Sequence, residues 1–422
     1  MKNFFKYNFF LFTLALSEPN QFRVTDKINL EITGFTEFDM AIDSRQSATY
    51  RADIILLYPL PKDPSKCGIK GDINAKGQTL MSSIFSRINF KATGPDIGNA
   101  KVYAILESDF LGLSESTTLL ARLRHAYANL DYNGHSFLFG TTWNPLTPFD
   151  CYPNTVAPYN GLPIDAVSRN PQIRYTYNKN ENFQILFAAL EQNIDFSSYG
   201  PIGFTPEYLR EAIVPNLHLQ FRKFFCKNSV FGMGIDYKRL VPRRQSEKHC
   251  KVDESINSFS ALAYTTIKTD LSRFCFKVIY AQNGTDHVLL GGYGVSNIDP
   301  ITDQRKYTNL NAFSIWGDFE HTCNNFRPGI FAGYAKNLGA SDKLERDLKT
   351  KEFITYTLPF AEKLDDMFRV SPRLRWTKNS FELGGELEIT HATFGNLQSS
   401  GKVDCKVPVT NYRIFFTAHY FF

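Results

Sequence analysis

Arginine alternates with other residues in two short stretches of this 422-residue chain, with polar side chains at every second position. Arg122 and Arg124 lie two residues apart, and Arg174 follows Gln172 at the same interval. A guanidinium group is planar and permanently charged, so it can bind a carboxylate through two parallel hydrogen bonds. Because alternate residues of a β-strand share a face, the spacing predicts anion-binding side chains along one face of each strand.

The opposite faces of the same two stretches are apolar or aromatic. They carry Leu123, His125 and Tyr127 in the first stretch, and Ile173, Tyr175 and Tyr177 in the second. Alternation with a period of two indicates strands whose faces meet different environments. A soluble sandwich that buries the apolar face fits this pattern, and so does a membrane barrel that turns the apolar face to lipid.

The composition of the chain favours the barrel. Aromatic residues make up 15% of the sequence, yet the mean hydropathy is only -0.27. This balance is typical of a wall in which every second side chain meets water and the others meet lipid. Beyond the N-terminus, no apolar run approaches the roughly 18 residues that a spanning helix needs. The net charge of +5 is small and evenly spread, which argues against a nucleic-acid partner.

The connections between the strand-like segments alternate in length. Turns such as DYNGH and TCNN are short, whereas the intervening loops are long, and about sixteen segments result. Short turns on one rim and long loops on the other are typical of an outer-membrane barrel, and a sandwich has no reason to keep that order. The last segment alternates towards a terminal Phe422. We therefore predict an all-β fold, a transmembrane antiparallel β-barrel of about sixteen strands.

The chain divides into three predicted parts. Residues 1–17 place Lys2 and Lys6 before an apolar run, which is interpreted as a secretory signal peptide; a buried N-terminal helix is the alternative. Residues 18–26 are expected to form a short periplasmic segment. Residues 27–422 form the predicted barrel, with its first two strands at 27–39 and 79–92.

Charged side chains are expected to line the inside of this barrel. The candidate pore-lining and anion-binding residues are Arg87, Arg122, Arg124, Arg169, Arg174, Arg222, Glu107 and Asp109. The two acids lie on the strand beside Arg122 and Arg124, so opposite charges face each other there. Arg87, Arg174 and Arg222 have no evident acid on an adjacent strand. Unpaired guanidinium groups in a narrow opening favour anions.

Three arginines near the C-terminus are interpreted as braces of the wall. Each of them has a plausible acid on the neighbouring strand. The arginines are Arg369, Arg373 and Arg375, and the acids are Glu382, Glu386 and Glu388. Pairing of this kind holds a guanidinium group rigid and leaves less of its charge for a solute.

The seven cysteines of the chain are interpreted as free thiols, with a disulfide framework as the alternative. No Cys-x-x-Cys spacing or Cys/His grouping predicts a metal site. If the barrel closes, its first and last outer loops become neighbours, and these loops hold Cys67 and Cys405. A bond between these two cysteines is the one specific pairing that the sequence suggests.

No catalytic group emerges from the motifs. The strand histidines have no Ser or Cys partner at a motif spacing; they are His125, His218, His321, His391 and His419. We therefore predict that the chain is not an enzyme and that it needs no cofactor. A barrel that serves as a surface receptor, an adhesin or a hydrolase is the alternative.

Several stretches resemble the DcaP-like trimeric porins of Gram-negative outer membranes. They are SRINFKATGP (86–95), AILESDFLG (104–112), RLRHAYANL (122–130), FLFGTTW (137–143) and RNPQIRYTY (169–177). They all lie within roughly the first 40% of the chain, and beyond Tyr177 only the rhythm of strands and turns is similar. Where the family usually has Gly-Gln-Thr-Trp, this chain has Gly140, Thr141, Thr142 and Trp143.

The resemblance implies a homotrimer among the lipids of the bacterial outer membrane, through which small anionic solutes, dicarboxylates above all, diffuse passively. It also implies a long third extracellular loop folded into the pore. The segment 144–170 is 27 residues long, has no periodicity and holds the place of that loop in the strand count. Its acids Asp150 and Asp165 are the candidate constriction residues; a mobile surface loop is the alternative.

Overall fold

The computed structural model describes residues 20–25, 28–66, 71–180, 182–225, 229–347 and 349–422, with the backbone alone for 20–25. Residues 1–19 lie outside this part, so the signal peptide at 1–17 stays a prediction. Cys67 also lies outside it, and with it the expected bond to Cys405. Cys405 itself is exposed and carries a free thiol.

Sixteen long strands, counted over the described residues, form an antiparallel sheet that closes on itself. They are β1 Ile28–Asp43, β2 Gln78–Ser82 with Arg87–Thr93, β3 Lys101–Asp109, β4 Arg122–Tyr132, β5 His135–Trp143, β6 Arg169–Asn180, β7 Phe183–Leu190, β8 Asn216–Phe225, β9 Ser229–Leu240, β10 Ile256–Lys268, β11 Ser272–Gln282, β12 Arg305–His321, β13 Phe326–Ala340, β14 Leu364–Lys378, β15 Phe381–Leu397 and β16 Val403–Phe421. Each strand pairs with the next, and β16 returns to β1 with Phe421 opposite Phe35. The predicted barrel is confirmed.

The alternation of residue types determines which side chains face outwards. On β16, Ile414 is 57% exposed, whereas its neighbours Arg413 and Phe415 are fully buried. On β10, where the sequence did not distinguish the two faces, Phe259 is exposed and Tyr264 is buried. An exposed apolar outer face around a charged interior inverts the usual arrangement of a soluble domain, as a wall in contact with lipid requires.

The two rims of the barrel differ in the length of their connections, as predicted. Within the described ranges, the short turns are 94–100, 133–134, 269–271, 322–325 and 379–380. The long loops are 44–77, 110–121, 144–168, 191–215, 241–255, 283–304 and 341–363, whereas the connection at 398–402, expected to be long, has only five residues. We refer to 44–77, 144–168 and 191–215 as the first, third and fourth loops.

The two N-terminal barrel strands differ from their predicted bounds. β1 continues to Asp43 instead of ending at residue 39, and β2 is interrupted between Ser82 and Arg87. At the interruption Ile84 and Phe85 are both buried, although the alternation placed Ile84 on the outer face. Phe85 packs beside Tyr159 of the third loop, with 6.0 Å between the ring centroids. The strand breaks because two consecutive apolar side chains face inwards, which a regular strand cannot accommodate.

Shorter elements supplement the barrel. The short strands are Asn20–Thr25, Ser47–Thr49, Leu56–Pro59, Tyr199–Gly200, Gly203–Phe204, Gly292–Ile298 and Thr355–Thr357. Single helical turns lie at Glu115–Thr117, Glu207–Arg210, Thr285–His287 and Ala361–Lys363. Asn20–Thr25 pairs antiparallel with the start of β1, within the segment expected to be a short periplasmic extension. No helix in the described ranges has the length and apolar character needed to cross a membrane.

Candidate functional site

The two arginines of β4 form buried ion pairs with the two acids of β3. Nε and Nη2 of Arg122 donate to the two carboxylate oxygens of Asp109, at 2.9 and 2.7 Å. Arg124 donates from Nε to Glu107 and from Nη1 to Asp109, both at 2.7 Å. All four side chains are buried. Charge-assisted bonds of this geometry hold each guanidinium group in one orientation.

Residues from three loops complete this group. Asp195 of the fourth loop accepts hydrogen bonds from Arg122 at 2.9 Å, from Arg169 at 3.2 Å and from Arg51 of the first loop at 3.3 Å. The hydroxyl oxygen of Tyr159, in the third loop, accepts from Arg124 at 2.8 Å and from Arg169 at 3.0 Å. One carboxylate and one phenol therefore connect strands β4 and β6 to the loops.

The resulting arginine cluster consists of the guanidinium groups of Arg51, Arg87, Arg122, Arg124 and Arg169 and the carboxylates of Glu107, Asp109 and Asp195. Five positive groups against three negative ones leave an excess of two positive charges. Burial alone would raise the pKa of Tyr159, but Arg124 and Arg169 outweigh burial and lower it to about 7. The cluster is thus positive, and one of its hydrogen-bond acceptors titrates near neutrality.

A β-bulge in β4 corrects the predicted faces of this strand. The pairing of β3 with β4 runs from Glu107 opposite His125 to Ser108 opposite Leu123, which leaves Arg124 as the extra residue. An extra residue reverses the alternation beyond it. His125 is therefore buried together with the arginines, whereas Ala128, predicted on the arginine face, is exposed.

Two of the three arginines expected to lack an acid have one. Nε of Arg87 lies 3.6 Å from Glu107, which is on the adjacent strand β3, so the expectation for Arg87 was wrong. Arg222 forms an ion pair with Asp150 of the third loop, a partner that strand adjacency could not indicate. Arg174 donates to Gln172 at 2.8 Å and to the Trp143 carbonyl at 2.5 Å.

The Arg87 guanidinium group retains unused donor capacity. Its Nε is buried without a hydrogen-bond partner among the described residues, and its carbon lies 5.1 Å from the Phe35 ring centroid. Arg87 borders a cavity of about 260 Å³ that other charged side chains also line. These are Glu31, Glu37, Lys91, Glu107, Arg124, Arg375, Glu382 and His419. The cavity is slightly smaller than the roughly 300–1,000 Å³ of typical ligand sites, so it suits a small solute.

The third loop is bound by inward-facing side chains of the wall. Lys277 of β11 donates to Asp165 at 2.7 Å and to the Leu146 carbonyl at 2.9 Å. Arg273, on the same strand, donates to the Tyr152 carbonyl at 2.7 Å. Both candidate constriction acids therefore have cationic partners: Asp165 binds Lys277, and Asp150 pairs with Arg222 of β8.

The opposite part of the wall binds the same loop. Glu386 of β15 accepts hydrogen bonds from the backbone amides of Val156 and Ala157 and from the Asn160 side chain. Arg375 of β14 donates to the Asn154 carbonyl at 3.0 Å. Contacts on β8, β11, β14 and β15 come from one continuous segment, so the third loop reaches strands far apart around the barrel.

The acid predicted on the neighbouring strand is confirmed for one of the three wall arginines. Arg375 lies 3.3 Å from Glu382 on the adjacent strand, as expected. Arg373 instead binds Asp318 of β12, at 2.8 Å.

Arg369 has a different role from the predicted brace. It donates to Thr390 and to backbone carbonyls of the first and third loops, namely those of Leu56, Leu57, Asn160 and Leu162. Arg369 therefore joins the two loops to β14.

Four residues of the site were missed from the sequence, namely Lys277, Asp195, Tyr159 and Arg51 of the first loop. Lys277 alternates in register with Arg273, so a consistent assignment of inward positions on β11 would have found it. Asp195 and Tyr159 lie in irregular loops, where no periodicity indicates which way a side chain points. Their contribution depends on how the loops return to the barrel, and strand patterning carries no information about that.

The comparisons with known proteins agree on the class of fold, a closed antiparallel barrel of the porin type. No family model matches the chain, and no curated protein matches it either. Among solved structures, the outer membrane channel DcaP of Acinetobacter baumannii is similar with a TM-score of 0.66 and 14% identity, over 95% of this chain and 99% of that one. The outer-membrane protein OmpT of Vibrio cholerae follows with a TM-score of 0.53 and 11% identity, over 94% and 99%. At these identities the likeness establishes the fold.

Proposed function

We propose that this chain is a porin of the bacterial outer membrane, a water-filled channel for passive diffusion of small anionic solutes. The observation that carries the proposal is the inverted wall, with apolar side chains outside a closed barrel and buried charges inside. A barrel of sixteen strands is wide enough to leave an aqueous channel. The similar barrel of DcaP is described as an outer membrane channel, which supports the same function here.

The third loop is proposed to lie in the lumen and to narrow it. Its contacts with β8, β11, β14 and β15 all involve inward-facing side chains of the wall. A segment that reaches both sides of a barrel from within must cross its interior. In this arrangement Asp150 and Asp165 are neutralised by Arg222 and Lys277, so the loop adds little negative charge to the opening.

The proposed solutes are small anions, dicarboxylates in particular. The arginine cluster has an excess of two positive charges, and two of its arginines, Arg87 and Arg124, line the cavity. Fixed positive charge in a narrow opening of low dielectric concentrates anions. The preference for dicarboxylates also rests on the family resemblance of residues 86–177.

Assembly as a homotrimer completes the proposal. One of the similar barrels is the trimer form of OmpT from Vibrio cholerae, with a TM-score of 0.52. Trimers of this class resist sodium dodecyl sulfate until heated, so unheated protein should migrate as one large species and boiled protein as the monomer. A monomer in both samples would contradict the assembly but not the channel.

Planar-bilayer recording tests the central claim. The purified protein should insert with stepwise increases in conductance. In a potassium chloride gradient its zero-current potential should indicate a preference for chloride, and succinate should block or permeate. A folded barrel that inserts without any conductance would refute the channel and favour a surface receptor. Conductance with a preference for potassium would refute the anionic solutes alone.

A further inference from the structure

Two buried cysteines meet where the third loop contacts the barrel wall. Cys151 belongs to the loop and Cys275 to β11, and neither side chain is exposed. Sγ of Cys151 lies 3.4 Å from the carbonyl oxygen of Phe276, the residue after Cys275, and 3.5 Å from that of Thr265. Thr265 pairs with Phe276 across β10 and β11, so the sulfur of Cys151 lies directly over this strand pair.

A threonine hydroxyl connects the two cysteines from the other side. Oγ1 of Thr266 donates to the Asp150 carbonyl at 2.7 Å and lies 3.1 Å from Sγ of Cys275. Asp150 immediately precedes Cys151, so this single hydroxyl connects Cys275 to the peptide group next to Cys151. Both cysteines are free thiols in the structure.

The segment around Cys151 is also anchored on each side of Cys275 along β11. Arg273 binds the carbonyl of Tyr152, and Lys277 binds that of Leu146. These bonds fix the loop backbone on either side of Cys151, so the loop cysteine is held against the strand that carries Cys275.

We propose that Cys151 and Cys275 form a disulfide bond that fixes the third loop to the inner wall. The two thiols release two protons, and two electrons pass to a disulfide-bearing oxidant, which leaves as two thiols. A protein exported through the periplasm meets oxidants of this class before its barrel closes. The bond would add a covalent restraint to a loop that polar contacts otherwise hold.

Disulfide mapping tests the bond independently of channel activity. The full chain is refolded into detergent with a mixture of oxidised and reduced glutathione, and a second sample is refolded with excess reductant. After denaturation and alkylation, peptides are analysed by mass spectrometry. In the oxidised sample a linked pair of peptides should contain Cys151 and Cys275, and neither cysteine should be alkylated. Reductant should restore both.

Matched variants keep the test specific. Cys275→Ser should leave Cys151 alkylated, whereas Cys405→Ser, at an exposed thiol, should retain the linked pair. Complete alkylation of Cys151 and Cys275 in oxidised, folded wild-type protein would overturn the proposal. A link from either cysteine to any other one would overturn it as well.

The proposed effect on the loop rests on the channel function and has its own measurement. Oxidised protein should show fewer transient closures in bilayer recordings than the same protein after reduction, and Cys275→Ser should behave like the reduced form. Equal closure frequencies in protein with a mapped bond would overturn the tethering role. Absence of any current would instead contradict the channel and leave the mapped bond standing.

Discussion

The ammonium nitrogen of Lys277 lies 2.7 Å from a carboxylate oxygen of Asp165, and neither side chain is exposed to solvent. The lysine belongs to β11 and the aspartate to the third loop, so one buried ion pair joins the loop to the wall. A charge in such a place has exchanged water for one partner, and its stability depends on that partner.

Lys277→Met should therefore destabilise the folded barrel. The substitution leaves the Asp165 carboxylate buried without its cation, and loss of one partner of a buried pair costs about 3–5 kcal/mol. The midpoint of urea unfolding in detergent should fall accordingly. The double variant Lys277→Met/Asp165→Leu should recover most of the loss, because no charge then remains unpaired. Lys306→Met, at an exposed lysine of β12, should change the stability by less than about 0.5 kcal/mol.

If Lys277→Met and Lys306→Met were equally stable, the Lys277–Asp165 pair would make no net contribution to folding. If the double variant were no more stable than Lys277→Met, the loss of stability would come from packing around the aliphatic part of the lysine side chain. The unpaired charge of Asp165 would then not be its cause. The double-mutant cycle separates these outcomes because it isolates the pairwise energy.

Gly140→Ala should also impair folding, for a reason in the backbone. Gly140 has a φ of +131°, and a Cβ atom there would lie 2.2 Å from the carbonyl oxygen of Ala126 on β4. Strain of this kind costs about 1–3 kcal/mol. Gly385→Ala is the matched control, since nothing lies within 4 Å of a Cβ atom at this strand position. The yield of heat-modifiable folded barrel should fall for the first variant only; equal yields would refute the close approach.

The barrel could be predicted from the sequence because lipid and water impose opposite demands on alternate residues. The C-terminal strand illustrates this, since the period of two puts Tyr412, Ile414 and Tyr420 on the face of the terminal Phe422, and all three are exposed. Local alternation also places Glu107 and Asp109 opposite the arginines of β4. Each of these inferences uses neighbouring residues or neighbouring strands only.

What the sequence could not provide is the route of the loops and the irregularities of the strands. The bulge at Arg124 brings His125 to the inner face. No residue type in this part of β4 predicts a bulge. Arg222 finds its acid in Asp150 across 72 positions of the chain. Arg369 binds backbone carbonyls of the first and third loops instead of the predicted acid. Because every residue carries a carbonyl, no pattern of side chains could have predicted these partners.

Stability should rise with pH through the range set by Tyr159. Burial raises the pKa of this phenol, but the positive charges of Arg124 and Arg169 lower it by more than burial raises it. The resulting pKa is about 7 in the folded chain, against about 10 for an ordinary tyrosine. A group whose pKa is lower in the folded than in the unfolded chain stabilises the folded state. The full contribution is present above the pKa of the unfolded chain, and it is lost as the pH falls through the pKa of the folded chain. The urea midpoint of wild type should therefore increase from pH 7 to pH 10 relative to Tyr159→Phe.

The same titration should reduce the anion preference of the channel. A phenolate at Tyr159 lowers the positive excess of the arginine cluster from two charges to one, so the zero-current potential of wild type should shift towards cations above pH 7. Tyr159→Phe carries no phenol and should lack this shift. Identical pH profiles for the two proteins would mean that Tyr159 stays protonated between its two arginines.

Arg87 should contribute more to selectivity than a charge on an outer loop. One unit charge about 4 Å from a solute carboxylate, at an effective dielectric near 20, contributes up to about 4 kcal/mol before desolvation takes most of it back. A net effect of about 1 kcal/mol would change relative anion permeability several-fold. Arg87→Gln should therefore shift the zero-current potential towards cations and weaken block by succinate.

The shift in Arg87→Gln should be reinforced by the acid that remains. Glu107 keeps its bond to Arg124 at 2.7 Å but loses Arg87 at 3.6 Å, so its charge becomes less compensated beside the cavity. Arg174→Gln tests a second inner arginine, and Lys349→Gln, at an exposed loop position, serves as the matched control for the lost positive charge. Unchanged zero-current potentials in both arginine variants would show that the backbone of the third loop, and not the charge of the wall, selects the solute.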